Sequence, residues 1–500
     1  MKASLKYQWK ELMKSRSDWN IIFGPPGTGK TTTGMKFIED KLASNISPTQ
    51  IGYLAFTRKA AFEARSRAED KFGFTKDDMP YFRTIHSLCF MQLGIKPNQM
   101  MQKSDYKELG SLLGINVSGS AMNEDVYSLG MPLGDRLFFL DNLARISMTS
   151  IQDIYDSTVD DDFDFEQLKI VSKGLQRYKQ IRNIIDFTDL LYKYLDEGFE
   201  PSLKALFVDE AQDLSKLQWN VIHKVSKNVP EIYAAGDDDQ AIYRWAGASV
   251  KDFTDLQGNK KVLSHSYRIP RQVHKLANTI LENIPDRVDK EFTPRDFEGY
   301  VEYHYSADDL PLEKGEWLLL ARNSYMLTDY ERICEQGGYS YESPTRKPLE
   351  SDALLAIRSW TKMCKGDKIA GSDLKRIKKY YSFRMRIDDE RLYSLEDTKL
   401  ESAFWYDCFD RLNPRLREYF LAARRHGESL TKPRIKINTI HGVKGGEADH
   451  VAIMTDMAAR SFTHMEKYPE DEHRVFYVAL TRAKCGIHII QPTSRNYYEI

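Results

Sequence analysis

Cysteine is scarce in this chain: five residues (Cys89, Cys334, Cys364, Cys408, Cys485) are scattered over 500, with no C-x-x-C pair. That pattern supports neither a zinc site nor a disulfide framework, and five free thiols are expected. Long hydrophobic runs are missing as well; none approaches the roughly 18 residues that a membrane span needs. The opening Met1-Lys2-Ala3-Ser4-Leu5-Lys6 leads into the polar, charged Tyr7 to Arg16, which does not read as a secretory leader. A cytoplasmic (bacterial or viral-type) or nuclear location without membrane contact is therefore expected. Net charge is nearly absent, at −1, so any polyanionic partner must be met by a local patch rather than by the whole surface. Internal repeats and low-complexity tracts are also absent.

What is present is ordinary soluble composition, 41% hydrophobic and 29% charged, in a chain too long for a single core. Short apolar strand candidates recur at Asn20 to Phe23, Gly52 to Phe56, Leu203 to Val208, Glu231 to Ala235, Trp317 to Ala321, His450 to Met454 and Gly486 to Ile490. Helical patterns lie between them, which predicts α/β domains with parallel sheets and ligands at the carboxyl ends of strands. Two long helical stretches, near 90–185 and 338–432, interrupt this alternation as insertions. The first carries the acidic run Asp153, Asp156, Asp160, Asp161, Asp162, Asp164 and Glu166, read as a solvated loop. The second is basic: nine Lys/Arg lie between Thr361 and Arg386, interleaved with Tyr380, Tyr381 and Phe383. That mixture suits a nucleic-acid backbone and its bases, or equally a solvated helix face.

Gly24-Pro25-Pro26-Gly27-Thr28-Gly29-Lys30-Thr31 follows the apolar run Ile21-Ile22-Phe23 and opens a helical segment. Strand, glycine loop and helix make a cradle for a polyphosphate: backbone N–H groups turn inward, Lys30 reaches the β/γ oxygens and the Thr31 hydroxyl can ligate Mg²⁺. Asp209-Glu210-Ala211-Gln212-Asp213 sits at the end of another strand, where Asp209 can hold the metal and Glu210 can polarise an attacking water. After the next strand, Gly236-Asp237-Asp238-Asp239-Gln240 offers a polar sensor in Gln240, and Tyr243 and Trp245 offer flat faces for a base. An Asp-rich turn with core aromatics would give the same letters. Arg268 and Arg482 are the candidate guanidinium donors to a transferring phosphoryl group, expected from a second α/β domain so that hydrolysis depends on closure of a cleft.

Taken in order, the segments Gly24 to Thr31, Phe56 to Ala61, Thr84-Ile85-His86-Ser87, Asp186 to Leu191, Asp209 to Asp213, Gly236 to Gly247, Ser266-Tyr267-Arg268, Thr439 to Glu447 and Tyr477 to Ala483 resemble the UvrD/Rep/PcrA group of superfamily 1 (subgroup A) DNA helicases. The resemblance covers both motor cores; the insertions match only by position. It implies two RecA-like P-loop NTPase domains, each with a mainly helical insertion: domain 1A over 1–89 and 186–262, insertion 1B over 90–185, domain 2A over 263–337 and 433–500, and a short basic insertion 2B over 338–432. It implies ATP and Mg²⁺ bound by Gly24, Pro25, Pro26, Gly27, Thr28, Gly29, Lys30 and Thr31, with Asp209 sharing the metal, Tyr267 packing on adenine and Glu447 near the ribose. Glu210, Gln240, Arg268 and Arg482 become the hydrolytic set, with Arg482 as the finger. Phe56, Thr84, His86, Tyr243, Trp245 and His441 match positions that touch single-stranded DNA or link it to the nucleotide.

The activity implied is ATP-dependent unwinding in replication, repair or recombination, by translocation along single strands and at single-strand/duplex junctions. The direction implied by Gly236-Asp-x-Asp-Gln-x-Ile-Tyr is 3′→5′. Two alternatives stay open: a single-strand translocase that displaces proteins, and a protein-remodelling P-loop ATPase, since the same glycine loop occurs in ring-forming ATPases. The sequence departs from the family pattern in places. Ala246 stands where relatives usually carry arginine, Gly446 replaces a usual leucine, and Gln8 is a candidate for the adenine-contacting glutamine, at a short spacing from the glycine loop. With Arg482 so near Ile500, no fused nuclease is expected.

Overall fold

The protein is described here by a computed structural model covering residues 18–119, 132–158, 162–345, 352–429 and 432–500. Gln8, Asp160 and Asp161 lie outside the described residues. Two compact units are formed. One runs through Gly299 and resumes over Ala458–Arg482; the other comprises Tyr300–Met457 and Ala483–Glu499.

The first unit is built on β1 (Trp19–Phe23), β2 (Ile51–Ala55), β3 (Phe82–Thr84), β4 (Ala205–Asp209), β5 (Glu231–Gly236) and β6 (Gly258–Val262), all parallel in the order β3-β2-β4-β5-β1-β6. Its central strands are apolar on both sides because alternate residues feed opposite faces. Ile22, Ala205 and Phe207 join Met35, Phe37 and Ile38 of the helix Lys30–Ala43 on one face. Trp19, Ile21, Phe23, Leu206 and Val208 join Leu190, Leu191, Leu217 and Trp219 on the other. At about 1.5–3 kcal/mol for each fully buried large apolar side chain, these two layers fix the register of the sheet and so the strand ends that carry the chemistry.

The segment between β3 and β4 includes a helical cluster with its own core of Leu137, Phe138, Leu140, Leu168, Val171 and Leu175. It is tied back where it rejoins the sheet domain. The Met101 N–H donates to the Ile185 carbonyl (2.8 Å), and the Ile185 N–H to that of Gln99 (2.9 Å). Beside this junction Asp186 caps the helix Phe187–Glu197 and receives Arg145 (2.8 Å) and Lys179 (2.7 Å). Burial would raise the Asp186 carboxyl, but those two cations hold it well below the carboxylate range.

The second unit holds β7 (Tyr300–His304), β8 (Trp317–Ala321), β9 (Tyr341–Glu342), a short antiparallel pair β10 (Ile369–Ala370) and β11 (Leu392–Tyr393), then β12 (Ile435–Thr439), β13 (Ala448–Met454) and β14 (Ala483–Ile490). Its main sheet is parallel in the order β7-β14-β13-β8-β12-β9. The segment between β9 and β12 is mainly helical and shares one hydrophobic core with the sheet, through Leu354, Ile357, Trp360, Leu374 and Phe420. Both parallel sheets and both helical insertions are therefore as the sequence implied.

The basic stretch is a different matter. Tyr380, Tyr381 and Phe383 pack against that core, with Tyr380 stacked on Phe409, instead of forming an open stacking surface. Lys375 pairs with Asp389, and Arg376 and Lys379 both pair with Asp352. The three rings are half-buried against apolar neighbours. Among the described residues no helix is long and apolar enough to cross a membrane. All five cysteines are unpaired, and burial pushes the Cys89 thiol up to about 12.

Candidate active site

The glycine loop leaves β1 at its carboxyl end. The Gly24 N–H donates to the Gly236 carbonyl (2.9 Å), which sets the loop beside the end of β5. Gly27 and Gly29 adopt φ of 73° and 87°, the left-handed region that turns backbone N–H groups into a concavity. A side chain at Gly27 would also lie 2.5 Å from Arg268 Cβ and 2.7 Å from Ser266 Oγ. Thr28 closes the turn by donating its hydroxyl to the Pro25 carbonyl (2.7 Å), and Pro25 and Pro26 are buried. Lys30 folds back so that Nζ donates to the Gly24 carbonyl (2.6 Å), a position inside the loop it would cradle. Thr31 opens the helix, half-buried.

Asp209 ends β4 and is buried. It accepts from the Tyr53 hydroxyl (2.6 Å) and from the Glu210 N–H (3.0 Å). Burial and the adjacent Glu210 charge push its carboxyl up to about 6, against the pull of Tyr53 and Lys30. Such an oxygen-donor pair, short of positive charge, fits a hard divalent cation, and with the Thr31 hydroxyl the set suits Mg²⁺. Glu210 is held at φ 51°, unusual for a residue with a side chain, and its carboxylate accepts from Gln212 Nε2 (2.7 Å). Gln212 in turn accepts the Asp237 N–H (3.0 Å), which connects the ends of β4 and β5.

At the end of β5, Gln240 donates to Asp237 Oδ2 (2.6 Å) and accepts from the Arg482 guanidinium (2.8 Å). Arg482 is buried, and its Nε donates to the Val478 carbonyl (2.9 Å). Arg268 reaches the Thr481 carbonyl (3.4 Å). Both arginines thus group with the glycine loop in the first unit, where a second domain had been the expected source. The cause is the helix Pro469–Leu480. Its buried Arg474 donates to the Asp238 carbonyl (3.0 Å) and the Asp286 carbonyl (3.0 Å), which anchors the helix in that unit. Tyr267 presents a ring that is 72% exposed, while its N–H donates to the Gly27 carbonyl (2.9 Å), so an open aromatic face stands next to the loop.

Sequence reasoning missed Lys290, Arg287 and Arg474. Lys290 lies buried between Asp237 (3.3 Å), Asp238 (2.7 Å) and Asp239 (2.7 Å), and Arg287 forks onto Asp239 with two bonds of 2.8 Å. Burial would raise Asp239, but Arg287 and Lys290 hold it low. The Asp-rich turn that carries Gln240 is therefore a buried knot of three aspartates held by two cations, and the run of three consecutive acids was the available signal.

Phe56 packs on the buried Tyr243 (ring centres 5.5 Å apart). Trp245 packs on Phe139 of the helical cluster (5.9 Å) and lines a cavity of about 390 Å³ with Lys216, Arg244, His464 and Tyr468. Tyr243 is core-facing, and Trp245 is the ring at which a base could lie. Thr84 serves the fold by capping the helix Ile85–Gln92, accepting from the Ser87 N–H (3.2 Å). His86 abuts Phe187, and burial, with Arg58 nearby, pushes it down to about 4. Ala246 donates its N–H to the Tyr243 carbonyl (2.9 Å) in a tight turn that needs no side chain at this position. His441 and Glu447 belong to the second unit: His441 is buried after β12, and the Glu447 carboxylate pairs with Lys484 (2.9 Å).

A family model for the UvrD/REP helicase N-terminal domain matches residues 5–261, and one for the UvrD-like helicase C-terminal domain matches residues 327–493. Similar curated proteins include the ATP-dependent DNA helicase PcrA of Staphylococcus aureus, 23% identical over 324 residues that make up 59% of this chain and 42% of that protein. PcrA of Bacillus subtilis is 23% identical over 334 residues (64% and 44%). The ATP-dependent DNA helicase Rep of Buchnera aphidicola is 24% identical over 278 residues (53% and 41%). The matched region thus spans less than half the length of each of these relatives.

Proposed function

We propose, from the premise that this chain belongs to the UvrD/Rep helicase family, that it is an ATP-driven DNA helicase moving 3′→5′ along single strands and opening duplex at junctions. The observation that carries the reading is the assembly, within one compact unit, of Lys30, the Asp209–Glu210 pair, and the bonded pair Gln240–Arg482. In this reading the loop N–H groups and Lys30 bind the phosphates of ATP, and the exposed Tyr267 ring receives the adenine. Thr31 and Asp209 are the residues that would hold Mg²⁺, which when bound neutralises phosphate charge. Glu210 orients and deprotonates the attacking water. Arg268 and Arg482 meet the charge that grows on the transferring group, and Gln240 couples Arg482 to the end of β5.

DNA is assigned to the Trp245 side of the same unit, where a base can stack on the indole and Lys216 supplies positive charge, Arg244 being paired with Glu470 (3.1 Å) and Asp471 (2.9 Å). Stacking is indifferent to base identity, so weak sequence preference is expected. The role in replication, repair or recombination follows from family membership.

The test is hydrolysis with and without single-stranded DNA, beside unwinding of 3′-tailed, 5′-tailed and forked duplexes with RNA controls. DNA-stimulated hydrolysis that vanishes in Lys30→Ala, with unwinding of the 3′-tailed substrate, is the expected result. Stimulated hydrolysis surviving in Lys30→Ala would sink the reading. Protein displacement without strand separation would move the assignment to a translocase that strips proteins from single strands.

A further inference from the structure

At the edge of the second sheet, β7 and β14 gather chemistry that ATP hydrolysis does not use. Tyr300, Glu302 and His304 alternate along β7 and so share one face. Glu302 lies opposite His488 in the parallel register, which puts their side chains on the same side.

Three donor atoms converge there. His304 Nε2 and His488 Nδ1 are 2.9 Å apart, Glu302 Oε2 is 3.4 Å from His488 Nδ1, and it is 3.8 Å from His304 Nε2. Donors bound at zinc-like distances on one face of a tetrahedron stand about 3.3 Å from one another. The observed triangle brackets that value, so a metal ion needs only small side-chain adjustments to enter.

The surroundings are those of a built site. His488 is 1% exposed, and its other nitrogen, Nε2, lies 3.2 Å from the Tyr300 hydroxyl, which is 2.6 Å from His450 Nδ1. With Nδ1 given to a metal, Nε2–H donates to Tyr300 and Tyr300 donates to His450. That is the outer hydrogen bonding that fixes the tautomer of a metal-bound imidazole. Gly486 makes the arrangement possible, since a Cβ there would lie 2.2 Å from the Tyr300 ring. Trp317 packs against both His450 and His488 at 4.8 Å and fixes their planes. Glu302 is about half exposed and gives an ion a way in from solvent.

We propose that Glu302, His304 and His488 bind one Zn²⁺ ion, which clasps the edge strand β7 to β14. Two imidazole nitrogens and one carboxylate favour zinc-class ions over Mg²⁺ or Ca²⁺. Three protein ligands leave a fourth position for water. This site is independent of the nucleotide chemistry.

The experiment uses the full chain, stripped with chelator and titrated with Zn²⁺ against a chromophoric zinc indicator, with thermal melts in parallel. One tight equivalent and a Zn²⁺-dependent rise in melting temperature are expected for the wild type. Glu302→Gln and His304→Ala should each weaken that equivalent by tenfold or more and lose the rise. Tyr300→Phe, which breaks only the outer contact, should weaken it about tenfold. Co²⁺ in place of Zn²⁺ should give visible absorption in the wild type that His304→Ala removes. Glu302 and His304 lie on an edge strand, so metal-free melts of their variants report whether folding is intact. Absence of a tight equivalent in the wild type, or equal binding in both ligand variants, overturns the assignment.

Discussion

The guanidinium of Arg482 donates to the amide oxygen of Gln240 over 2.8 Å, across 242 positions of sequence. Gln240 donates an amide hydrogen to Asp237 at the same time (2.6 Å), so a change at the end of β5 reaches the arginine through one planar group.

Arg482 should therefore act on rate more than on nucleotide affinity. Arg482→Ala is expected to lower kcat by about a thousandfold, as loss of a group that meets transition-state charge does, with KM for ATP changed only a few fold. Gln240→Glu would hold the arginine in a static ion pair and should cost part of the same kcat. Steady-state hydrolysis with saturating single-stranded DNA measures both. Equal losses in kcat and affinity for Arg482→Ala would point to ground-state binding instead.

Lys290 should behave as a keystone. Lys290→Met keeps the volume but leaves three buried aspartates short of a cation, a class of change that costs roughly 3–5 kcal/mol. Denaturant melts should register that loss, and hydrolysis should fall with it because Gln240 rides on the same turn. A variant as stable as wild type would remove Lys290 from this role.

Gly27→Ala should impair nucleotide binding with little effect on global stability. The residue has φ 73°, and the new methyl would press on Arg268 and Ser266. Fluorescent-nucleotide titration is expected to show at least tenfold weaker binding. Undiminished affinity would mean that the loop relaxes freely.

His86 gives the fold an acid limit. Its folded-state value of about 4 lies below the ordinary 6.5, so as pH falls the unfolded chain takes the proton first. Stability from this group is whole above about 6.5 and drains away as pH drops toward 4, by no more than about 3 kcal/mol. His86→Gln should flatten that part of the stability–pH profile. An unchanged slope between these limits would refute the assignment.

The interior strands were legible because both faces of a covered parallel sheet are apolar: Ile21-Ile22-Phe23 and Leu206-Phe207-Val208 leave little else to be. Others were not. Gly258-Asn259-Lys260-Lys261-Val262 forms β6 at a sheet edge with its side chains largely in solvent, so no hydrophobic pattern marks it. β12 alternates Ile435, Lys436, Ile437 and gave no apolar run. The glycine loop and the acid pair stand at strand ends, where the sequence reading looked for phosphate chemistry, whereas Arg268 and Arg482 lie in the turns between elements and were picked out by resemblance to the family pattern. Lys290 was not, since a buried cation placed by tertiary structure leaves no local spacing. The basic–aromatic stretch stayed ambiguous for the converse reason: composition does not say whether Tyr380 and Tyr381 face water or core.

Glu210 occupies a backbone well that nearly all side chains avoid, at a cost of order 1–3 kcal/mol. Glycine and asparagine would be more comfortable there, so conformational ease alone favours residues with no carboxylate. The chain keeps an acid where its own backbone would prefer none. A variant such as Glu210→Gly or Glu210→Asn should then be at least as easy to fold as the wild type, and the catalytic role proposed for Glu210 would be kept against the direction in which stability pulls.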